Sequence, residues 1–307
     1  MSKLTAKEHI IVNAPIEKAH AIVADFKTWK SWSPWLICEP DTKLEFSDDG
    51  SFYSWEGKRV GSGQMKILKS TEHQIDYDLT FLKPWKSEAK TSFILKSEGN
   101  KTRVTWTMDS KWPFYLFFMR KQMQAMIGMD YSRGLKMLKE VIEEGKTHSQ
   151  LEFAGIEHFE KVNFIGKRTK TTITAIGKDM SADFENMAKL IENQKIEISS
   201  FPFAQYHKFD FVSGNVEYTA GFPVAKKPEN LPSEYYFSEL GGFSVHKLIH
   251  TGKYDHLGNA WAAQMSILRN KEFKQDKKIH PFELYHNNPA ETPAEELITS
   301  VCFPVRK

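Results

Sequence analysis

Cysteine is nearly absent from this chain: Cys38 and Cys302 are the only two in 307 residues, and they lie far apart. Neither a disulfide framework nor a thiolate zinc site can be built from them. Long apolar runs are missing as well. None approaches the roughly 20 residues that span a bilayer as a helix. The opening MSKLTAKEHIIV lacks the apolar core and small-residue cleavage site of a signal peptide. Charge of one sign is also lacking: 42 Lys and Arg stand against 39 Asp and Glu, a formal net charge of +3. No Lys/Arg-rich block resembles a nucleic-acid-binding arm. The expectation is a cytoplasmic, soluble protein with no direct nucleic-acid contact and no membrane partner.

Several catalytic and metal signatures are missing too. There is no Gly-x-Ser-x-Gly elbow and no catalytic cysteine context. Gly145-Lys146-Thr147 imitates the end of a phosphate loop, but Glu140 stands where that loop needs glycine, and a helical pattern precedes it in place of a strand. His246 and His250 are four apart, a metal-binding spacing on a helix, yet FSVHKLIHTG reads as a strand and offers no third ligand. No metal and no cofactor is expected.

What is present is a chain 40% hydrophobic and 13% aromatic, long enough for two globular domains with a core each. In the first half, EHIIVNAP reads as a strand and PIEKAHAIVAD as a helix opened by Pro15. Trp29, Trp32 and Trp35 follow in quick succession. Residues 43–109 break into strand-like runs, with Glu98-Gly99-Asn100 as a hairpin turn. After Pro113, FYLFFMRKQMQAMIGMDYSRGLKMLKEVIEEG reads as one long amphipathic helix. Met119, Met123, Met126, Met137 and Leu138 are among its apolar positions, and Gly145 closes it.

Strand, helix, antiparallel strands and a long C-terminal helix is the order of the START-like (SRPBCC, polyketide-cyclase-like) superfamily, and IIVNAPIEKAHAIVADFKTWKSWSPW and GNKTRVTWTMD resemble its sequences over about residues 5–145. The resemblance implies a helix-grip fold, in which the long helix lies across a curved sheet and encloses an apolar cavity. The Trp and Met residues either line that cavity or fill it.

The polar segment 147–156 reads as a linker between domains at 1–146 and 157–307. Beyond it, HFEKVNFIGKRTKTT reads as a strand, SADFENMAKLIEN as a helix capped by Ser181, and KFDFVSGNVEYTAGFPV as a hairpin. The order then recurs: strand FSVHKLIHTG, helix HLGNAWAAQMSILRN, and strands PFELYH and LITSVCFPV. Two β-α-β-β units suggest an internal duplication, visible in element order more than in residue identity, with a groove between its halves. The fold class expected for the whole chain is therefore α+β.

Glu283 is the residue that asks for a reason. In a strand it shares a face with Tyr285, while Phe282 and Leu284 share the other. Its carboxylate points either into water or into a cavity beside an aromatic ring. Here the chain resembles the GyrI-like effector-binding domain, found in drug-sensing and AraC-type regulators and in stand-alone proteins. HTGKYDHLGNAWAAQ (250–264) and PFELYHNNPAETPAEELITSVCFPV (281–305) carry the resemblance, over about 157–306. It implies that Glu283 lies in an aromatic pocket and meets cationic, lipophilic ligands, with Tyr254, Trp261, Tyr285 and Tyr218 as wall residues. Many members carry a second Glu after the final Thr, where this chain has Ser300; that departure weakens the expected preference for cations.

Three functions are compatible with this reading. The first is a small-molecule-binding protein that senses or sequesters lipophilic, drug-like compounds. The second is a hydrolase of an electrophilic small molecule with Glu283 as acid/base. The third is a transcriptional regulator acting through a partner, because two domains of this size leave no segment for a helix-turn-helix. Association as a homodimer or with another protein stays open.

Overall fold

The computed structural model describes residues 2–306. Two compact units emerge: residues up to 149 together with 255–270, and residues 150–254 together with 271 onward.

The first unit is built on a seven-stranded antiparallel sheet. Its strands are β1 (Ser2–Val12), β2 (Lys43–Phe46), β3 (Phe52–Glu56), β4 (Ser62–Thr71), β5 (Gln74–Lys83), β6 (Ser87–Glu98) and β7 (Lys101–Trp112), in the order β1-β7-β6-β5-β4-β3-β2. Helix α1 (Ile16–Ala24) and two 3-10 turns lie between β1 and β2, and helix α2 (Arg120–Glu144) follows β7. Strand alternation selects the buried face: Ile75, Tyr77 and Leu79 on β5, Phe93 and Leu95 on β6, and Val104, Trp106 and Met108 on β7 are all buried. The two-residue turn Gly99-Asn100 joins Glu98 to Lys101, with Gly99 at φ 66°.

The core between this sheet and α2 is aromatic. Trp106 stacks on Tyr131 with centroids 3.9 Å apart, and on Phe93 at 4.8 Å. Trp29 and Trp32 close on Phe93 and Trp106 edge to face. Thr91 Oγ1 accepts from Trp106 Nε1 at 2.9 Å and lies 3.2 Å from the Tyr131 hydroxyl, so the polar edges of those rings are satisfied inside. Of the two roles left open for the tryptophans, filling is the one these residues perform. A cavity of about 200 Å³ in this unit is lined by Lys30, Leu36, Ile37, Glu39, Leu44 and Ser149 among others, below the roughly 300 Å³ at which ligand pockets begin.

The long helix starts later than its sequence pattern suggests. Phe114–Met119 is a 3-10 turn with Leu116 outside helical geometry, and the α-helix begins at Arg120. Met137 and Leu138 are fully buried and Met123 and Met126 half-buried, but Met119 is exposed. Gly145 closes the helix in the left-handed conformation at φ 80°, as expected.

The second sheet has eight strands: β8 (Ser149–Phe159), β9 (Val162–Thr172), β10 (Phe203–Phe209), β11 (Asn215–Pro223), β12 (Tyr236–Leu240), β13 (Phe243–Gly252), β14 (Phe282–Tyr285) and β15 (Ile298–Pro304). Their order is β12-β9-β11-β10-β14-β15-β13-β8. Helix α3 (Ile176–Gln194) follows β9, and helix α4 (Gly258–Arg269) follows β13 in the chain. The duplication is explicit in this order. β9-β11-β10 and β13-β15-β14 repeat the same pairing, and the two halves join antiparallel through β10 and β14. Strand β12, which precedes β13, adds to the edge of the first half, and β8, which precedes β9, adds to the edge of the second.

Two expectations need correction. Most of the segment read as a linker, 147–156, belongs to β8: its own composition is polar, and pairing with β13 supplies the order. Ser181 does not cap α3, because that helix begins at Ile176 after Ala175, a turn and a half earlier. The helix α4, read with the second repeat, groups with the first compact unit. There it meets the Leu36–Cys38 turn, and its fully buried Asn259 accepts from Arg133 Nη1 at 2.7 Å.

Candidate ligand-binding site

Strand β14 is four residues long, and its first three are buried, so both of its faces are covered. The register settles which way each side chain points. Glu283 pairs with Ala204 on β10 and Val301 on β15, and Tyr285 pairs with Thr299. Tyr206 lies two residues beyond Ala204 on the same face and pairs with Tyr218 on β11. One face of the sheet therefore gathers Glu283, Tyr285, Tyr206, Tyr218 and Thr299. Helix α3 covers part of it, with Phe184 and Met187 packed in the cluster that holds Tyr218.

Glu283 is 2% exposed. Two tyrosine hydroxyls donate to its Oε2, Tyr285 at 2.6 Å and Tyr206 at 2.9 Å. Both rings are half-buried, so each keeps part of its surface exposed while its hydroxyl reaches Glu283. Burial, and then the Glu283 charge, holds both phenols well above the ordinary tyrosine value. They remain protonated donors across the physiological range. Phe184 meets the Tyr285 ring edge to face at 5.5 Å, and Tyr254 meets it at 5.9 Å. Tyr254 is 39% exposed, and burial followed by Glu283 pushes its phenol up to about 12. The Thr299 hydroxyl is buried on this face without a hydrogen-bond partner among the described residues.

Of the residues singled out from sequence, Glu283, Tyr285 and Tyr254 come together. Tyr218 shares their face but is engaged elsewhere. Its hydroxyl donates to Asp183 Oδ2 at 2.7 Å, and Asp183 is also held by Thr169 at 2.6 Å and Lys167 Nζ at 2.7 Å. Trp261 lies half-buried on α4, in the first compact unit. Ser300 is on the opposite face. It pairs with Leu284, and its hydroxyl is 2.7 Å from His286 Nε2. A carboxylate at 300 would point away from Glu283, so the residue there does not alter the charge beside it.

Tyr206 is the residue that sequence reasoning missed, and a signal for it existed. Phe203-Ala204-Gln205-Tyr206-His207 and Phe282-Glu283-Leu284-Tyr285-His286 share Phe-x-x-Tyr-His. Under the duplication Ala204 is the counterpart of Glu283, and the two pair directly with each other. Tyr206 and Tyr285 are likewise counterparts, converging on one carboxylate at the pseudo-twofold axis. A buried carboxylate that accepts two hydroxyls beneath aromatic rings can hold a cation or relay a proton.

The comparisons with known proteins agree with this architecture. Residues 155–306 match the family described as GyrI-like small molecule binding domain, and residues 3–143 match polyketide cyclase / dehydrase and lipid transport. The chain is a fusion of a polyketide-cyclase-like domain with a GyrI-like small-molecule-binding domain. No curated protein matches it. Among solved structures it is similar to EcmrR in a DNA complex, at 18% identity, covering 62% of this chain and 69% of that one, TM-score 0.45. It is also similar to the EcmrR C-terminal domain, at 17% identity, covering 52% and 98%, TM-score 0.42. The Aha1 dimer from Colwellia psychrerythraea is 22% identical over 46% of this chain and 98% of that one, TM-score 0.35. Likenesses at these scores carry no functional argument. No helix among the described residues is long and apolar enough to cross a membrane.

Proposed function

We propose that residues 157–307 form the ligand-binding domain and take up a lipophilic, cationic small molecule, with Glu283 as the counter-charge and Tyr285, Tyr206 and Tyr254 as its aromatic surround. The observation that carries this reading is the burial of Glu283 with two hydroxyl donors on Oε2. Two donated hydrogens suit an ionised acceptor, and desolvating a carboxylate costs several kcal/mol unless a partner offsets it. A ligand cation supplies the charge, and its apolar body suits the rings, each face adding about 0.5–2 kcal/mol. The family's printed description, small molecule binding, supports the class of ligand.

The test is a calorimetric titration of the full chain with tetraphenylphosphonium, a lipophilic monocation. Saturable binding is expected, and Glu283→Gln weakens it about tenfold or more, the equivalent of ~1.4 kcal/mol. Equal affinity in that variant would rule the assignment out.

The 2.6 Å contact between Tyr285 and Glu283 favours a second reading, hydrolysis of an electrophilic small molecule with Glu283 as acid/base. That reading requires turnover that disappears in Glu283→Gln while the melting curve is retained. Turnover that persists in the variant sinks it.

A further inference from the structure

The turn between β7 and α2 exposes more apolar surface than a free-standing domain normally leaves to water. Phe114 is 79% exposed, Tyr115 64%, Phe117 73%, Phe118 68% and Met119 38%. Two apolar anchors hold the turn in place: Leu116 and Trp112 are half-buried, and Trp112 Nε1 donates to the Leu116 carbonyl at 2.8 Å. The outward residues are thus presented by a tethered segment. The loop from β5 to β6 leaves the sheet at the same end, because Phe81 pairs with Ser87 and Ala89 pairs with Ser110. It adds Leu82 at 47% and Trp85 at 68% exposure. Contiguous apolar patches on soluble proteins mark interaction sites when they exceed a few hundred Å².

The charges around this end are mostly of one sign. Lys86, Lys111, Arg120 and Lys121 are all exposed, and Lys83 is 3.2 Å from Glu56. Glu88 is the acid between Lys86 and Lys90 on the same strand end, also exposed. Aromatic side chains with Lys and Arg beside them match the headgroup level of a bilayer, where rings sit at the acyl boundary and cations meet lipid phosphates.

We propose that this end of the first sheet docks onto an anionic lipid surface, with Phe117, Phe118 and Trp85 entering the interface and the four basic side chains contacting phosphate. The expectation of no membrane partner rested on the lack of a spanning helix, which bears on crossing a bilayer and not on lying against one. A second copy of the chain is the poorer occupant. A twofold contact through this patch sets Lys86, Lys111, Arg120 and Lys121 against the same residues of the partner copy. The proposal is independent of Glu283.

Co-sedimentation of the full chain with vesicles tests it, comparing phosphatidylcholine alone with an equimolar mixture of phosphatidylcholine and phosphatidylglycerol. Binding to the mixture is expected to exceed binding to phosphatidylcholine by about tenfold or more and to fall with added salt. Phe117→Ser with Phe118→Ser lowers it about tenfold or more, with the melting temperature unchanged because both rings are exposed. The proposal is overturned by absence of binding to the anionic vesicles, or by equal binding of the double variant. A concentration-dependent dimer in sedimentation velocity that the double variant abolishes also overturns it, in favour of a second copy.

Discussion

At the scale of single residues, the carboxylate of Glu283 depends on two phenols. Replacing either by Phe removes a hydrogen bond to a charged group, worth about 1.5–3 kcal/mol. Tyr206→Phe and Tyr285→Phe are each expected to lower the denaturant midpoint of the second unit. Their combined effect departs from the sum, because both donate to Oε2. Additive losses in a double-mutant cycle would contradict a shared acceptor. Thr299 makes the opposite case. Its buried hydroxyl lacks a partner among the described residues, and an unsatisfied buried hydroxyl costs about 1–3 kcal/mol. Thr299→Val keeps the shape and is expected to stabilise the unligated protein by up to about 1 kcal/mol. A loss of stability on urea unfolding would show that the hydroxyl is engaged.

At the scale of elements, the close approach of α2 to the aromatic core sets a limit on its surface. A Cβ at Gly134 would come within 2.9 Å of Pro34 Cδ and Trp106 Cζ3. Helix propensity favours Gly→Ala by about 1 kcal/mol, whereas overpacking costs about 1–3 kcal/mol. Both opposing atoms belong to rings that have little freedom to yield, so Gly134→Ala is expected to lower the melting temperature. A rise would mean that Pro34 moves aside. Trp106→Ala empties the centre of the same stack and is expected to cost about 3–5 kcal/mol.

The elements differ in how far local sequence declares them. Long strands with one buried face, such as β6 and β7, announce themselves by alternation, and α2 by its apolar stripe and Gly145. β8 and β12 do not, because an edge strand owes its order to the neighbour it pairs with. The 114–119 turn reads as helix because its residues are apolar, yet all of them except Leu116 are exposed. At the site, alternation put Glu283 and Tyr285 on one face. Tyr206 could be placed only by reading Phe-x-x-Tyr-His twice and taking the repeat as a symmetry of the sheet. Ser300 misled because adjacency to a motif residue says nothing of face until register is known.

At the scale of the whole molecule, tyrosine burial couples stability to alkaline pH in both units. Tyr53, Tyr77 and Tyr131 in the first unit, and Tyr206, Tyr218 and Tyr285 in the second, are all held above the ordinary phenol value, with burial the largest cause in each. The folded chain keeps protons that the unfolded chain releases above about pH 10. The unfolded state then binds fewer protons, and stability falls as pH rises. Denaturant midpoints are therefore expected to be insensitive to these groups at pH 7–9 and to drop beyond about pH 10. A midpoint that stays level there would show that the phenols ionise as readily in the folded chain as in the unfolded one.

The central claim is that a buried carboxylate selects ligands by charge, and two ions of the same size and opposite charge test it most directly. Tetraphenylphosphonium and tetraphenylborate offer the site nearly the same apolar surface. The wild-type chain is expected to bind the cation at least about tenfold more tightly than the anion, and Glu283→Gln to reduce that ratio by about tenfold or more. A ratio near one in the wild type, or one that survives the substitution unchanged, would contradict the assignment of Glu283 as the counter-charge.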